Sequence, residues 1–185
     1  MNKYTSGGNL LLDPAFILKK VGVTGEMSVA DLGCGGAGHF VLPAAHMVGN
    51  KGVVYAVDVL KEVLGGVESK AKLEGLSNIR YVWSDLEVVG GTKIQAESLD
   101  VALLVNVFFQ TKEHQNILQE AKRLLKSGGK LLVADWSEIG SPFGPATEKR
   151  VKKDEIKRLA QSVGLKELEE FSAGDYHFGL LFQKV

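Results

Sequence analysis

The stretch Val29-Ala30-Asp31-Leu32-Gly33-Cys34-Gly35-Gly36-Ala37-Gly38 decides the predicted fold of this 185-residue chain. An apolar run ends in an acid and passes directly into a glycine-rich turn. A second strand-like run, Val53-Val54-Tyr55-Ala56-Val57-Asp58, follows and also ends in an acid. Glycines let the backbone approach a ligand in a tight turn, and an acid ending the second strand can accept two hydrogen bonds from a ribose diol. Together the two runs predict a nucleotide cofactor site.

The position of Asp31 separates two classes of cofactor. The spacing Gly33-x-Gly35-x-x-Gly38 satisfies the dinucleotide fingerprint, but the strand of that fingerprint usually ends in an apolar residue. A carboxylate directly before the turn serves a pyrophosphate poorly and suits a cationic ligand. The sequence therefore favours a cationic cofactor, and a nicotinamide dinucleotide is the alternative.

Composition predicts a single domain over 1–185. The chain is 45% hydrophobic and carries 22 basic and 22 acidic side chains, so it has the length for one substantial core. The N-terminus lacks a basic stretch followed by a long apolar run, and no segment offers about 18 uncharged apolar residues, so neither export nor membrane spanning is predicted. We expect a cytoplasmic protein with no membrane partner.

Apolar patterns alternate between the strand and helix periods, which is typical of parallel strands joined by crossover helices. Strands are predicted near 28–33, 53–58, 79–83, 99–105, 129–135, 166–172 and 177–184, and helices near 14–20, 38–48, 61–74, 113–126 and 153–163. Only Ala173-Gly174-Asp175-Tyr176 separates the last two strands, so the final strand should be antiparallel to its neighbour. These patterns predict an α/β fold.

Several segments resemble, in chain order, the motifs of the class I S-adenosylmethionine-dependent methyltransferases. Asp31-x-Gly33-x-Gly35 resembles motif I, and the segments 78–86, 98–106 and 121–135 resemble strand three, strand four and the helix, Gly-Gly turn and strand five of that family. The order is most similar to the small-molecule branch that includes ubiquinone and menaquinone biosynthesis methyltransferases. The resemblance implies a Rossmann-like three-layer sandwich, with a seven-stranded, mostly parallel sheet and an antiparallel last strand.

The resemblance also implies the cofactor, S-adenosylmethionine, with S-adenosylhomocysteine as product. In the family the acid at Asp31 organises the loop near the methionine moiety, the acid at Asp58 holds the ribose hydroxyls, and the acid at Asp85 contacts the adenine. The implied cofactor residues are Asp31, Gly33, Cys34, Gly35, Gly38, Asp58, Val59, Asp85, Leu86 and Asn106. One departure is Ala37, where the family's usual pattern has a glycine, which a one-residue insertion before Gly38 would explain.

The catalytic residues are unknown from the sequence, because methyl transfer from a sulfonium depends mainly on positioning. Asn106, at the end of strand four, and Tyr176 and His177, in the last hairpin, are the candidates to orient or deprotonate the acceptor. Cys34 is expected to pack behind the glycine loop. The histidines at 39, 46, 114 and 177 show no ligand spacing, so no metal is predicted.

Two segments are predicted to cover the site: an N-terminal helical cap over 1–27 and a substrate lid over 137–151, which follows strand five. The basic cluster at 149–153 is interpreted as the solvated start of a helix or a charge that attracts an acidic substrate. A small chain favours a small-molecule acceptor, or a homodimer that completes the pocket. A protein substrate is a second possibility, and nucleic acid is unsupported because the net charge is zero.

The predicted function is S-adenosylmethionine-dependent methyl transfer to an unidentified acceptor, most simply a small molecule. Two alternatives from other classes remain. An NAD-dependent oxidoreductase would use the same glycine turn, and a non-catalytic methyltransferase-like binding module would use the same fold.

Overall fold

The computed structural model describes residues 11–139 and 143–185, which form one seven-stranded sheet with helices on both faces. The strands are β1 (Ser28–Leu32), β2 (Val53–Asp58), β3 (Ile79–Trp83), β4 (Leu99–Val105), β5 (Leu125–Trp136), β6 (Leu165–Gly174) and β7 (His177–Lys184). Their order in the sheet is β3-β2-β1-β4-β5-β7-β6. Strands β1 to β5 pair in parallel, and β7 is antiparallel to both β5 and β6. The predicted α/β class and the antiparallel last strand are confirmed.

The helices pack in two layers because successive residues of each strand point to opposite faces of the sheet. The helices are α1 (Pro14–Val21), α2 (Val41–Val48), α3 (Lys61–Leu73), α4 (His114–Leu124) and α5 (Lys153–Ser162), with short 3-10 turns at Phe108–Gln110 and Thr147–Lys149. One buried cluster joins α1, α2 and α3 to one face, and a second joins α4 and α5 to the other. The predicted three-layer sandwich is confirmed.

The sheet order fixes where a ligand can bind. Strands β1 and β4 are neighbours, and the chain runs outward from them in opposite directions, so the strand order reverses between them. Ligands of open α/β sheets bind in the crevice outside the carboxyl ends of the strands at this reversal. The glycine turn follows β1 and therefore opens into that crevice.

Two predicted boundaries are wrong. The helix predicted over 113–126 ends at Leu124, because Leu125 already pairs with Leu99 and opens β5 four residues earlier than expected. The helix predicted from residue 38 begins at Val41, since Gly38 has φ +64°, which an α-helix does not accommodate.

The predicted cap and lid lie partly outside the described residues. Residues 1–10 of the cap fall outside them, and the rest contains α1, whose first turn is capped by the Asp13 carboxylate through Ala15 N (2.9 Å) and Phe16 N (3.3 Å). Residues 140–142 of the lid also fall outside. Across the two described ranges, the structure contains no helix of sufficient length and apolar character to span a membrane.

Candidate active site

A cavity of about 430 Å³ opens at the crevice between the carboxyl ends of β1, β2, β3 and β4. Six of the residues predicted to bind the cofactor line it: Gly33, Gly35, Asp58, Val59, Asp85 and Leu86. Leu60 and Val63, at the start of α3, add apolar surface that the sequence analysis did not single out. The segments after four separate strands therefore meet around one space.

The Asp58 carboxylate is held in place by the backbone. Its Oδ2 accepts a hydrogen bond from Gly35 N at 3.1 Å, and its Oδ1 accepts one from Leu60 N at 3.0 Å. Gly35 has φ +62°, and a Cβ there would meet no atom within 4 Å, so the turn needs glycine for its backbone conformation and not for space. A carboxylate oriented in this way keeps lone pairs for a ligand diol.

Asp31 is a buried acid with an unsatisfied oxygen. Its side chain is 2% exposed, and Oδ2 has no hydrogen-bond partner in the described structure. Burial raises the pKa of Asp31 from its ordinary value of 3.8 to about 7, and the charge of Asp58 adds to the effect. A cationic ligand group beside Asp31 would satisfy the orphaned oxygen and lower this pKa.

Asp85 follows β3 and lines the same cavity as the glycine turn, which follows β1, two strands away in the sheet. Its Oδ1 accepts a hydrogen bond from Glu87 N at 2.8 Å, which leaves the second oxygen available. Val59 and Leu60 are 56% and 49% exposed, and both line the same cavity. An exposed apolar surface beside one carboxylate suits a planar ring that carries a hydrogen-bond donor.

The glycine turn is supported from behind by α3. Lys70 Nζ donates hydrogen bonds to the carbonyls of Gly36 (3.1 Å) and Ala37 (3.0 Å). A Cβ on Gly38 would lie 3.1 Å from Leu42 Cγ and 3.5 Å from Val67 Cγ1, so Gly38 packs between helices α2 and α3. The departure at Ala37 is thereby accommodated, and Lys70 is a positioning residue that the sequence did not reveal.

Four residues that the sequence predicted to bind the cofactor are absent from the cavity lining: Asp31, Cys34, Gly38 and Asn106. The Cys34 side chain belongs to the hydrophobic cluster beneath α2, as expected for a residue behind the loop. Burial raises the pKa of the Cys34 thiol far above its usual value, with contributions from Asp31 and Asp58. The thiol is therefore protonated and unreactive, and direct contact of Cys34 or Gly38 with a cofactor stays a prediction.

Asn106 follows β4 in a left-handed conformation, with φ +57°. Its backbone N–H donates to Ala134 O at 2.8 Å, and its carbonyl accepts from Gln110 Nε2 at 2.7 Å. The side-chain Oδ1 is buried and unpartnered. Asparagine tolerates this backbone region better than other non-glycine residues, and Asn106 directly precedes Val107, which lines the cavity.

His177 opens β7 opposite Trp136 at the end of β5. It is 3% exposed, its ring centroid lies 4.1 Å from that of Trp136, and neither ring nitrogen has a hydrogen-bond partner in the described structure. Burial lowers the pKa of His177 to about 4, and the nearby Arg150 charge contributes. The imidazole is therefore neutral at physiological pH and is suited to exchanging hydrogen bonds with a ligand.

Tyr176 lies in the turn before β7 and contacts the lid. Its ring centroid is 6.4 Å from that of Phe143, and its backbone carbonyl accepts from Ser137 N at 2.8 Å. The structure thus brings Tyr176 and His177 to the sheet edge where the sequence predicted them.

Arg150 is buried, contrary to the interpretation of the 149–153 cluster as a solvated helix start or an exposed charge. It is 7% exposed, and its guanidinium donates to four carbonyl oxygens of the preceding segment. The acceptors are Ser137 O (2.9 Å), Ile139 O (2.6 Å), Phe143 O (3.3 Å) and Pro145 O (3.0 Å). Arg150 therefore holds the described part of the lid together.

A further buried acid, Asp135, shapes the loop that follows β4. Asp135 accepts hydrogen bonds from Phe108 N (2.9 Å) and Trp136 N (2.8 Å), which orders the turn after β4. Burial raises the pKa of Asp135 to about 6, although these hydrogen bonds oppose the shift. Sequence reasoning placed Asp135 only as the end of a strand, because nothing in the pattern shows which backbone groups it meets.

Glu120 anchors the connection between β3 and β4. It is fully buried and accepts hydrogen bonds from Gly90 N (2.6 Å) and Thr92 Oγ1 (2.6 Å), besides its ion pair with Arg123 at 2.7 Å. Burial alone would raise the pKa of Glu120, but the hydrogen bonds from Arg123, Thr92 and the backbone outweigh it and lower the pKa to about 2. The sequence did contain a signal for the burial of Glu120, because this acid lies among the apolar residues of a helix.

The described ranges contain no group of three or more histidine, cysteine, aspartate or glutamate side chains that could hold a metal ion.

Comparison with known proteins places this geometry among methyltransferases. A family model described as a methyltransferase domain matches residues 24–171. The ubiquinone/menaquinone biosynthesis C-methyltransferase UbiE of Shewanella sediminis (strain HAW-EB3) is 27% identical over 139 residues, which cover 75% of this chain and 54% of that protein. The chain thus spans about half the length of the curated relatives it matches.

Solved structures give the same result. A SAM dependent methyltransferase from Aquifex aeolicus superimposes with a TM-score of 0.88 at 27% identity, covering 99% of this chain and 96% of that one. Geranyl diphosphate C-methyltransferase from Streptomyces coelicolor A3(2), determined with Mg2+, geranyl diphosphate and S-adenosyl-L-homocysteine, has a TM-score of 0.75 at 13% identity, over 93% and 79% of the two chains. The second likeness concerns the fold alone.

Proposed function

This chain belongs to the methyltransferase domain family, whose model matches residues 24–171, and on that premise we propose that it transfers a methyl group from S-adenosylmethionine to a small-molecule acceptor. The observation that carries the proposal is the row of carboxylates Asp31, Asp58 and Asp85 at the ends of three neighbouring strands, with Asp31 Oδ2 unpartnered. Three acids in this order match a cation, a ribose diol and an amino-bearing ring.

The residues present fit that cofactor. Asp58 would hold the ribose hydroxyls and Asp85 the adenine, beside the apolar side chains of Val59 and Leu86, and all four residues line the cavity. Asp31, which is buried and does not itself line the cavity, would attract the cationic methionine end. When bound, S-adenosylmethionine supplies a methyl group on a positively charged sulfur, which is already activated for transfer.

The same residues argue against a nicotinamide dinucleotide. A pyrophosphate bound at the turn of Gly33 and Gly35 would face the Asp58 carboxylate, which already receives the Gly35 N–H that a phosphate needs. Asp31 would add a second negative charge. The two carboxylates would repel the phosphates, which disfavours binding of the dinucleotide. None of the described residues that line the cavity has a basic side chain.

The protein's own part in the reaction is to bind, orient and exclude water. Lys70 holds the glycine turn, Asp135 orders the turn that carries Asn106, and Arg150 holds the lid over the neighbouring strand ends. Positioning of reactants alone can supply roughly 7–11 kcal/mol of the barrier reduction. The curated relatives are C-methyltransferases of ubiquinone and menaquinone biosynthesis, which supports a small acceptor.

Calorimetric titration with S-adenosylmethionine, S-adenosylhomocysteine and NAD tests the cofactor. We expect the first two ligands to bind the wild-type protein and NAD not to bind. Asp58→Ala should weaken both by about 10- to 100-fold, because charge-assisted hydrogen bonds contribute roughly 1.5–3 kcal/mol. Asp154→Asn, on the exposed face of α5, is the matched control and should bind as the wild type does.

Each other outcome has a definite meaning. Binding of NAD alone would favour an oxidoreductase, and binding of none of the three would leave a non-catalytic module. If the protein binds S-adenosylmethionine, a broad set of small molecules is then tested as acceptors. Formation of S-adenosylhomocysteine with none of them would argue against the small-molecule acceptor.

A further inference from the structure

A second cavity, of about 350 Å³, lies at the same edge of the sheet, beside the end of β6 and the start of β7. It shares no lining residue with the cavity that contains Asp58. Its lining is mixed: Ile139, Phe171 and Phe178 supply apolar surface, and the polar side chains are those of Ser137, Glu170, Ser172, Asp175 and His177. Its volume is within the usual range for small-molecule sites.

Two residues that line the second cavity have buried polar atoms that no described residue of the protein satisfies. Both ring nitrogens of His177 and the Oγ of Ser137 are buried and have no hydrogen-bond partner in the described structure. Buried polar groups are almost always paired, and leaving one unpaired destabilises the fold. Three such atoms on two neighbouring residues of one cavity indicate that a ligand pairs with them.

We propose that this second cavity binds the methyl acceptor, and that the acceptor is a neutral molecule presenting a hydroxyl group to His177 and Ser137. The inference rests on the proposed methyl transfer and adds the class of acceptor to it. A neutral imidazole has one N–H donor and one lone-pair acceptor, and a hydroxyl group can complement either. The remaining apolar surface of the acceptor would pack on Phe171, Phe178 and Ile139.

Charge around the second cavity disfavours an anionic acceptor. Its charged lining residues are Glu170 and Asp175, and neither lysine nor arginine is among the described ones. Lys153 and Lys157 pair with Glu170 outside the cavity lining. The nearby Arg150 donates to lid carbonyls, so its hydrogen-bonding capacity is largely used.

The second cavity is placed to deliver an acceptor to the cofactor. His177 lies level with Trp136 at the end of β5, and β5 is the neighbour of β4, which Asn106 follows. Adjacent strands are about 4.8 Å apart, so two steps separate His177 from Asn106 by roughly 10 Å along the edge. An acceptor about 10 Å long that is anchored at His177 would reach the end of β4, after which Val107 lines the cavity that contains Asp58.

Three simple probes separate the properties of the inferred acceptor: phenol, toluene and benzoate. Phenol has the neutral hydroxyl, toluene lacks it, and benzoate replaces it with a negative charge. They are titrated at pH 7 into the full chain loaded with S-adenosylhomocysteine, with nitrogen-15 NMR of the histidine rings as readout. We expect phenol to bind at least about fivefold more tightly than either other probe and to shift the His177 ring signals.

Variants assign the contact to the two residues. His177→Phe keeps an aromatic ring against Trp136 but removes both nitrogens, so phenol affinity should fall about fivefold, to that of toluene. Ser137→Ala should weaken phenol by about two- to fivefold, and it serves as the second test if His177→Phe does not fold. His46 and Ser162 lie outside the second cavity, so His46→Phe and Ser162→Ala are the control variants.

Benzoate binding as tightly as phenol, toluene binding equally well, or shifts confined to the other histidines would each overturn the inference. Titration of S-adenosylhomocysteine into the same samples keeps the two proposals apart. If the wild-type protein does not bind it, the proposed function fails. If it binds but His177 shows no preference for phenol, only the acceptor inference fails.

Discussion

Replacing Asp31 with asparagine should stabilise the ligand-free protein at neutral and alkaline pH. Burial, with help from Asp58, raises the pKa of Asp31 from 3.8 to about 7. A shift of one pKa unit corresponds to 1.36 kcal/mol of free energy, so keeping this carboxylate ionised in the folded protein costs roughly 4 kcal/mol. The side-chain amide introduced by Asp31→Asn is isosteric with the carboxylate and uncharged, and it removes that cost.

The pH dependence follows from proton binding. Between about pH 4 and pH 7 the folded protein holds a proton on Asp31 that the unfolded chain has lost, so wild-type stability falls as pH rises through this window and is level above it. The asparagine variant lacks this slope. Its stability relative to wild type should therefore be roughly 4 kcal/mol greater at pH 8 than at pH 4, a comparison that cancels any constant packing cost.

Urea unfolding of both proteins at pH 4, 6 and 8 measures the effect, with Asp154→Asn as the exposed control. In parallel, S-adenosylmethionine affinity should increase with pH up to about 7 in the wild type, because the cationic ligand prefers the ionised acid. In the asparagine variant the affinity should be weaker and independent of pH. An equal stability difference at pH 4 and pH 8 would refute the argument that Asp31 is a destabilised buried acid.

Three further variants probe the supports of the site. Lys70→Met should raise the dissociation constant of S-adenosylhomocysteine about three- to tenfold and KM more than kcat, since two carbonyls of the glycine turn lose their donor; Lys70→Arg should restore part of the affinity, and equal loss in both variants would contradict a positioning role. Glu120→Gln should destabilise the protein by roughly 1–3 kcal/mol at pH 7, measured by urea unfolding. Because the folded pKa of Glu120 is lowered to about 2, that difference should shrink as pH falls from about 4 towards 2, and a constant difference would exclude the charge as its cause. Arg150→Met should speed chymotrypsin cleavage at Phe143 severalfold without changing S-adenosylhomocysteine affinity, and an unchanged cleavage rate would show that the lid is held by other contacts.

The sequence predicted six of the residues that line the cavity containing Asp58, because these residues are defined by local pattern. Asp31, Asp58 and Asp85 each stand at or just after the end of an apolar run, and parallel strands bring such positions to one edge. The start of β5 was missed since its pairing with Leu99 depends on a partner 26 positions away in the chain.

The sequence also could not predict which individual charged residues are buried. Arg150 stands in a row of basic residues that look alike in composition, and only the fold shows that its guanidinium meets four lid carbonyls. Likewise, a lone histidine at 177 carries no periodic signal, and its orphaned nitrogens result from the tertiary position of the last hairpin.

Because of the position of β7 in the sheet, the two cavities should form at different stages of folding. Strand β6 precedes β7 in the chain, yet β7 is its only neighbour in the sheet, so β6 can join only together with β7, as a docked hairpin. None of the residues that line the cofactor cavity belongs to β5, β6 or β7, whereas the second cavity is built largely from that hairpin. A folding intermediate with an undocked hairpin would therefore already contain the cavity lined by Asp58 while lacking the second cavity.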